Sequence, residues 1–354
     1  MSEIIHESVC EQSASDKDSA IGKIRTLFPA KNALLQLAND EVAKWFKPYR
    51  PNRLGNHYGK GDHFAGKDVV FEWEYVGRAD YFVLEIAEKG DYNGCLRYRT
   101  TVKKVSVGEL NVLADYAWRV TAYQDGKKVA IGESCFSTEK SPASIVIDGV
   151  SNARDVAFFS KTVRQGMIYR SASLDEITEK GLSDALSKYK IKTEIDLRNT
   201  GEGKQSPLGD KVNYYSLPGA YYVSSGASVK DSFYRQNMAK AIGVFAYESN
   251  YPILFHCAIG RDRTGTLAAV IEAFLGAEYD DIMADYEMSF FSEAGCKDGA
   301  EPDIMFSKIT EIYDFLSEYG EDTLQENTAK FLRDSGVTSE ELENIRRIMK
   351  KEKS

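Results

Sequence analysis

The 354-residue sequence predicts a chain of two domains of different class: an all-β sandwich over residues 21–140 and an α/β domain over 141–354, preceded by a flexible N-terminus of residues 1–20. Three observations carry this prediction. From Asp68 onward apolar residues alternate at a period of two, in runs such as V-V-F-E-W-E-Y and Y-A-W-R-V-T-A-Y separated by turn residues. From Ile145 onward strand-like and helix-like segments alternate, the pattern of a parallel or mixed central sheet with helices on it. The stretch Tyr251–Gly276 then sets a short apolar run against a helical one, with a compact polar loop between them.

In chain order, residues 1–20 are polar and acidic, and short strands are expected over 24–27 and 33–37. Asn39 caps a brief helix, D-E-V-A-K-W-F, which Pro48 ends and whose Trp45 and Phe46 are read as core cover. Residues 48–66 read as a Gly- and Pro-rich loop. Five strand-like runs follow, and Ser137–Ser144 forms the linker. In the second domain I-V-I-D, M-I-Y-R-S-A-S and I-K-T-E-I-D-L-R read as strands and Leu174–Tyr189 as an amphipathic helix. A long loop, 206–230, precedes a helix over 231–248. Helices are expected after the Tyr251–Gly276 stretch at 280–293, 303–319, 324–333 and 339–350. Phe290, Phe291, Met305, Phe306, Ile309, Ile312 and Phe315 are read either as a helical lid or as ordinary helical packing.

The loop His256-Cys257-Ala258-Ile259-Gly260-Arg261-Asp262-Arg263 has the spacing C-x5-R-T-G. A loop that joins a strand end to a helix N-terminus aims successive backbone N–H groups into one concavity, where the helix dipole favours an anion. A phosphoryl group fits such a cradle, and the same groups favour a thiolate, the nucleophilic form of a cysteine. Cys257 is therefore the expected nucleophile. Arg263, in the first turn of the helix, is placed to fork two donors onto phosphate oxygens. Ala258, Ile259, Gly260, Arg261 and Thr264 complete the expected phosphate-binding set, Gly260 supplying an unusual backbone angle at the crest. A lone cysteine after a strand is ordinarily a small buried hydrophobe, but here strand, His256, Gly260, Arg263, Thr264, Gly265 and helix coincide.

With these residues the sequence resembles the bacterial tyrosine/serine protein phosphatases of the cysteine-based protein-tyrosine-phosphatase superfamily, whose loop reads H-C-x-x-G-K-D-R-T-G; here the lysine position is Arg261. The likeness spans roughly Ile145–Met349. It includes N-A-R-D at 152–155, G-M-I-Y-R-S-A at 166–172, I-D-L-R at 195–198 and D-Y-E-M-S at 285–289. It implies a metal-independent phosphomonoesterase without cofactor, acting on protein phosphotyrosine with tolerance for phosphoserine or phosphoinositide. There is no W-P-D loop, and the resemblance makes Asp262 the acid/base. Arg154 with Asp155 and Asp196 with Arg198 are expected as ion pairs bracing the loop, and His256 as its orienter. Arg261 is expected exposed at the cleft rim, either as a contact for a second anion or in a salt bridge to a nearby carboxylate such as Glu287 or Glu293. The alternative is a phosphate-binding adaptor that keeps the cradle without the chemistry. The N-terminal domain resembles a fibronectin type III domain, with Tyr116 in the tyrosine-corner position and Trp73 in the core; its binding partner is unknown.

Composition narrows the partners. A net charge of −9, with no basic run interleaved with aromatics, argues against nucleic acid. No apolar run is long enough for a membrane span. The first twenty residues lack a basic and an apolar signal region, so a cytoplasmic location is expected, with secretion open if the N-terminus is processed. Five cysteines without C-x-x-C spacing suggest neither a disulfide framework nor a zinc site. His57 and His63 lack a third ligand at metal spacing.

Overall fold

The computed structural model describes residues 5–6, 21–46, 66–108, 110–202 and 205–351. The expected flexible N-terminus, apart from the strand Ile5–His6, lies outside them, as do Cys10, His57, His63 and residues 352–354. The chain divides into two compact units, residues 1–37 with 67–140 and residues 38–66 with 141–353.

In the first unit the strands Tyr81–Glu88, Leu96–Thr100, Asp115–Gln124 and Lys127–Thr138 pair antiparallel in a seven-stranded sheet. A second sheet holds Arg25–Phe28, Val69–Glu74 and Lys104–Val107, the last a strand the sequence reading did not separate. Alternation in Val69–Glu74 buries Val69, Phe71 and Trp73. Phe71 stands edge-on to Trp118 at 5.3 Å and Trp73 to Phe82 at 5.5 Å, so the two sheets share an aromatic core. The Tyr116 hydroxyl accepts from the Asn111 N–H (2.8 Å).

The helix Asp40–Trp45 is capped as expected, Asn39 Oδ1 accepting from Val42 N–H at 2.9 Å. The sequence reading placed it with the sandwich. Its aromatics pack in the second unit instead, Trp45 lying 5.2 Å from Phe291 and Phe46 6.1 Å from Phe158.

The second unit is built on a six-stranded sheet in the order Ala143–Ser144, Arg154–Asp155, Ile168–Ser171, Ile253–His256, Thr193–Asp196, Asn213–Ser216. Its last four strands run parallel, and all residues of the three central ones are buried. The strand Asn213–Ser216 falls inside the expected long loop; it is an edge strand, largely exposed, and carries no apolar alternation. The expected Leu174–Tyr189 helix begins later, at Glu179, because the Thr178 hydroxyl caps it, and it closes with a π-helical turn at Asp184–Lys188. Helices Ser232–Val244, Tyr279–Met288, Pro302–Ser317, Leu324–Asp334 and Ser339–Met349 follow the expected segments, the second ending sooner. Phe290, Phe291, Phe306, Ile309 and Ile312 are buried, Phe290 packing edge-on to Phe306 at 5.6 Å. Among the described residues no helix is long and apolar enough to cross a membrane.

Candidate active site

The central strand Ile253–His256 delivers the loop, and the helix Asp262–Phe274 takes it up. Cys257 is buried at the strand end. Around it the loop carbonyls are held from outside. His256 O accepts from Leu197 N–H (2.8 Å), Ala258 O from Ser173 N–H (3.1 Å), Ile259 O from Asn152 Nδ2 (3.1 Å) and Gly260 O from Arg170 Nη2 (2.7 Å). A carbonyl and the following N–H of one peptide plane point in opposite directions, so outward carbonyls turn N–H groups toward the concavity. Gly260 has φ +71°, and a Cβ there would lie 2.5 Å from Ser171 O. The crest therefore accepts glycine only.

Arg263 is 5% exposed, and its Nε and Nη1 find no hydrogen-bond partner among the described residues, nor does Thr264 Oγ1. The Tyr221 ring lies 5.0 Å from the Arg263 guanidinium. Arg261 behaves oppositely. Nε donates to Asp262 (3.0 Å), Nη1 to Gly295 O (2.7 Å) and Asp298 (2.9 Å), and Nη2 to Asp298 (2.6 Å) and Asp262 (3.3 Å). These contacts occupy all five N–H donors of a guanidinium. The expectation of an exposed Arg261 at the rim is therefore corrected: the residue is 1% exposed, because its planar fork matches the Asp298 carboxylate. Asp262 takes Arg261 on both oxygens and the Tyr222 hydroxyl on Oδ1.

His256 Nε2 lies 3.0 Å from Glu194 Oε1, and its Nδ1 3.3 Å from the Cys257 carbonyl oxygen. Asp196 receives Arg198 at Nε (3.0 Å) and Nη2 (2.8 Å), and Arg198 Nη1 also reaches Asp175 (2.6 Å). Burial raises the Asp196 carboxyl, but Arg198 outweighs it and holds it below the usual range.

The expected Arg154–Asp155 pair does not form. Arg154 turns to Asp285 (2.7 Å), to the Asn152 side chain (2.5 Å) and to Ser289 Oγ (3.1 Å). Arg170 bonds the other Asp285 oxygen, so one carboxylate joins two arginines beneath the loop. Asp155 accepts instead from the backbone N–H groups of Ala157 (2.8 Å) and Gly166, and burial raises its carboxyl to about 7. Asn152, Arg170 and Asp285 lie in motifs legible in the sequence, whereas Glu194, Asp298, Tyr221 and Tyr222 carried no local signal. Among the described residues no cluster of three or more potential metal ligands occurs.

A mixed sheet whose central strand feeds a cysteine loop and then a helix, with the cysteine and the loop-closing Arg263 both buried, is the α/β framework of the second unit. Residues 145–351 match the sequence profile of the tyrosine phosphatase family, and the chain belongs to that family. It is similar to a protein of Cupriavidus necator named as a tyrosine-protein phosphatase, 27% identical over 172 residues, covering 40% of this chain and 61% of that one. A tyrosine-protein phosphatase of Nostoc commune is 28% identical over 179 residues, covering 44% and 60%. The chain thus spans about three fifths of the length of these curated relatives. Among solved structures, it is similar to the core catalytic domain of the PP-IP phosphatase SIW14 from S. cerevisiae in complex with citrate (22% identity, 50% and 93% coverage, TM-score 0.32). A variant of TpbA from P. aeruginosa in complex with pTyr gives 20% identity, 41% and 86% coverage and a TM-score of 0.28.

Proposed function

We propose that the second unit hydrolyses phosphomonoesters, protein phosphotyrosine first and phosphoserine or phosphoinositide with lower preference, through a cysteinyl-phosphate intermediate. The Cys257 thiolate attacks phosphorus in line, forming the S–P bond as the P–O bond to the leaving group breaks. Protonated Asp262 gives its proton to the leaving oxygen. Water then attacks phosphorus and breaks the S–P bond, and Asp262 takes the proton from that water. For these transfers Asp262 exchanges its longer contact, to Arg261 Nη2 (3.3 Å), for the reacting oxygen. Inward-turned amides and Arg263 stabilise the equatorial phosphoryl oxygens, the work a metal does in other phosphatases.

The observation that supports this reading is the contrast between the two loop arginines. Arg261 has every donor engaged, whereas Arg263 is buried next to the cradle with two donors unpaired. A buried guanidinium in that condition is costly unless it has an anion to receive. The same contrast removes Arg261 as a contact for a second phosphate. Tyr116, bonded to the Asn111 N–H as a tyrosine corner is, and the buried Trp73 support the fibronectin type III reading of the first unit.

The test is turnover of 4-nitrophenyl phosphate in the presence of EDTA. Cys257→Ser is expected to abolish it while inorganic phosphate still binds, and Arg263→Lys to lose at least about 100-fold in kcat/KM, because an ammonium cannot supply the fork. Residual turnover near wild type in either variant would refute the mechanism. Loss of activity without loss in phosphate affinity is also what separates the enzyme from an adaptor.

A further inference from the structure

The segment Leu217–Tyr222, read from the sequence only as part of a flanking loop, is fastened across the start of the loop helix. Leu217 N–H donates to Asp196 O (2.9 Å) and Gly219 N–H to Leu197 O (3.0 Å). A Cβ on Gly219 would lie 3.3 Å from Arg263 Cβ, so the backbone passes close over that arginine. Two tyrosines follow. Tyr221 covers Arg263, and Tyr222 reaches the neighbouring Asp262.

Tyr222 is buried and has φ +46°, a left-handed backbone that a bulky residue adopts only where its surroundings enforce it. Its N–H donates to Thr266 Oγ1 (3.1 Å), its carbonyl accepts from Val229 N–H (3.0 Å), and its hydroxyl meets Asp262 Oδ1 and, at 2.5 Å, the Tyr286 hydroxyl. Burial raises the Tyr222 hydroxyl well above its ordinary range, with Tyr286 and Asp262 adding to the effect, so it remains a donor throughout neutral pH. A strained backbone whose hydroxyl ends on a loop carboxylate points to a role at that carboxylate.

We infer that Tyr222 is a positioning residue for proton transfer. Its hydroxyl fixes Asp262 Oδ1, held in turn by Tyr286, so that Oδ2 is presented to the leaving-group oxygen. The inference rests on the proposed acid/base role of Asp262. The charged and titratable groups around that carboxylate are Arg261, whose other edge Asp298 holds, and Tyr221, Tyr222 and Tyr286 from the neighbouring loop and helix. Tyr222 is the one among them that combines a direct hydroxyl donation to Asp262 with a strained backbone.

The experiment compares phenyl phosphate with 4-nitrophenyl phosphate in the full chain. Their leaving groups differ in basicity, so a correctly placed acid matters far more for the phenol. Tyr222→Phe is expected to lose about tenfold more kcat/KM on phenyl phosphate than on 4-nitrophenyl phosphate, general-acid effects being about 100-fold or larger in total. Tyr286→Phe, which removes only the second link, is expected to show the same bias to a smaller degree. Equal losses on the two substrates in both variants, or no loss, would overturn the inference, because general loosening of the fold does not discriminate leaving groups. If Tyr222→Phe does not fold, the bias in Tyr286→Phe decides. Failure of the wild-type chain to turn over either ester would instead refute the proposed activity.

Discussion

Asp285→Asn is the substitution whose cost follows most directly from the geometry. The Asp285 carboxylate is 1% exposed and faces Arg154 and Arg170, 1% and 0% exposed, with one oxygen toward each. Burial and the neighbouring Arg170 already pull Arg154 down to about 10, so two cations crowd around one anion. Removing one member of a buried pair leaves an uncompensated charge and costs about 3–5 kcal/mol. That is a large share of a domain stability of about 5–15 kcal/mol. Glu272 moderates the loss. It is buried beside the same arginines, and burial, then the Asp285 charge, push its carboxyl well up, which favours its neutral form. Removing the Asp285 charge lifts the second of these causes, so Glu272 is expected to ionise in part and to offset some of the loss. Asp285→Asn is therefore expected near the lower limit, about 3 kcal/mol, and Glu272→Gln alone below about 1 kcal/mol. The double variant is expected to exceed their sum by about 1–2 kcal/mol, within the usual range for coupled neighbours. Urea unfolding measures this, following the transition that inorganic phosphate shifts, since the ligand marks the unit it binds. A cost under about 1 kcal/mol for Asp285→Asn, or additivity within about 0.5 kcal/mol in the double variant, would refute the reasoning.

Two further outcomes are expected. Gly260→Ala must move the loop crest away from Ser171 O and Ala172 N, so kcat/KM should fall at least about 100-fold with the circular dichroism unchanged; a smaller loss would mean that the crest is not held as described. Asp155 gives a pH dependence: with its carboxyl raised to about 7 against about 3.9 unfolded, the folded state retains a proton between those values that the unfolded state has released. Its contribution to stability thus declines as pH rises through that window and levels off above it. Asp155→Asn should remove the decline, so that Tm of the wild type relative to the variant falls from pH 5 to 7.5, whereas parallel Tm profiles would count against a raised Asp155.

The parts of the site that were legible in the sequence are those whose meaning is local. Cys257, Gly260, Arg263 and the strand and helix on either side are adjacent in the chain, and their spacing alone implies an anion cradle. Asp196 with Arg198 is likewise a neighbour pair. Partners across the fold were not legible. Arg261 meets Asp298 thirty-seven residues on, and Arg170 meets Asp285 across 115, distances at which only the packed helices decide who pairs with whom. Arg154 was assigned to the adjacent Asp155, but extended neighbours in a strand point to opposite faces, so the two side chains part. Asn213–Ser216 escaped because an exposed edge strand has no apolar alternation to reveal it. The cap of the Asp40–Trp45 helix was readable, whereas its place in the second unit depends on Phe291 and Phe158, which are remote in sequence.

The central claim is that Cys257 carries the phosphoryl group between substrate and water. Acid-quenching the enzyme within its first turnovers on 4-nitrophenyl phosphate, followed by peptide mass spectrometry, tests it directly. A phosphoryl adduct on the peptide bearing Cys257, absent in Cys257→Ser and lost on continued turnover, is the predicted result. Steady turnover with no adduct at any quench time, or an adduct on another residue, would contradict it.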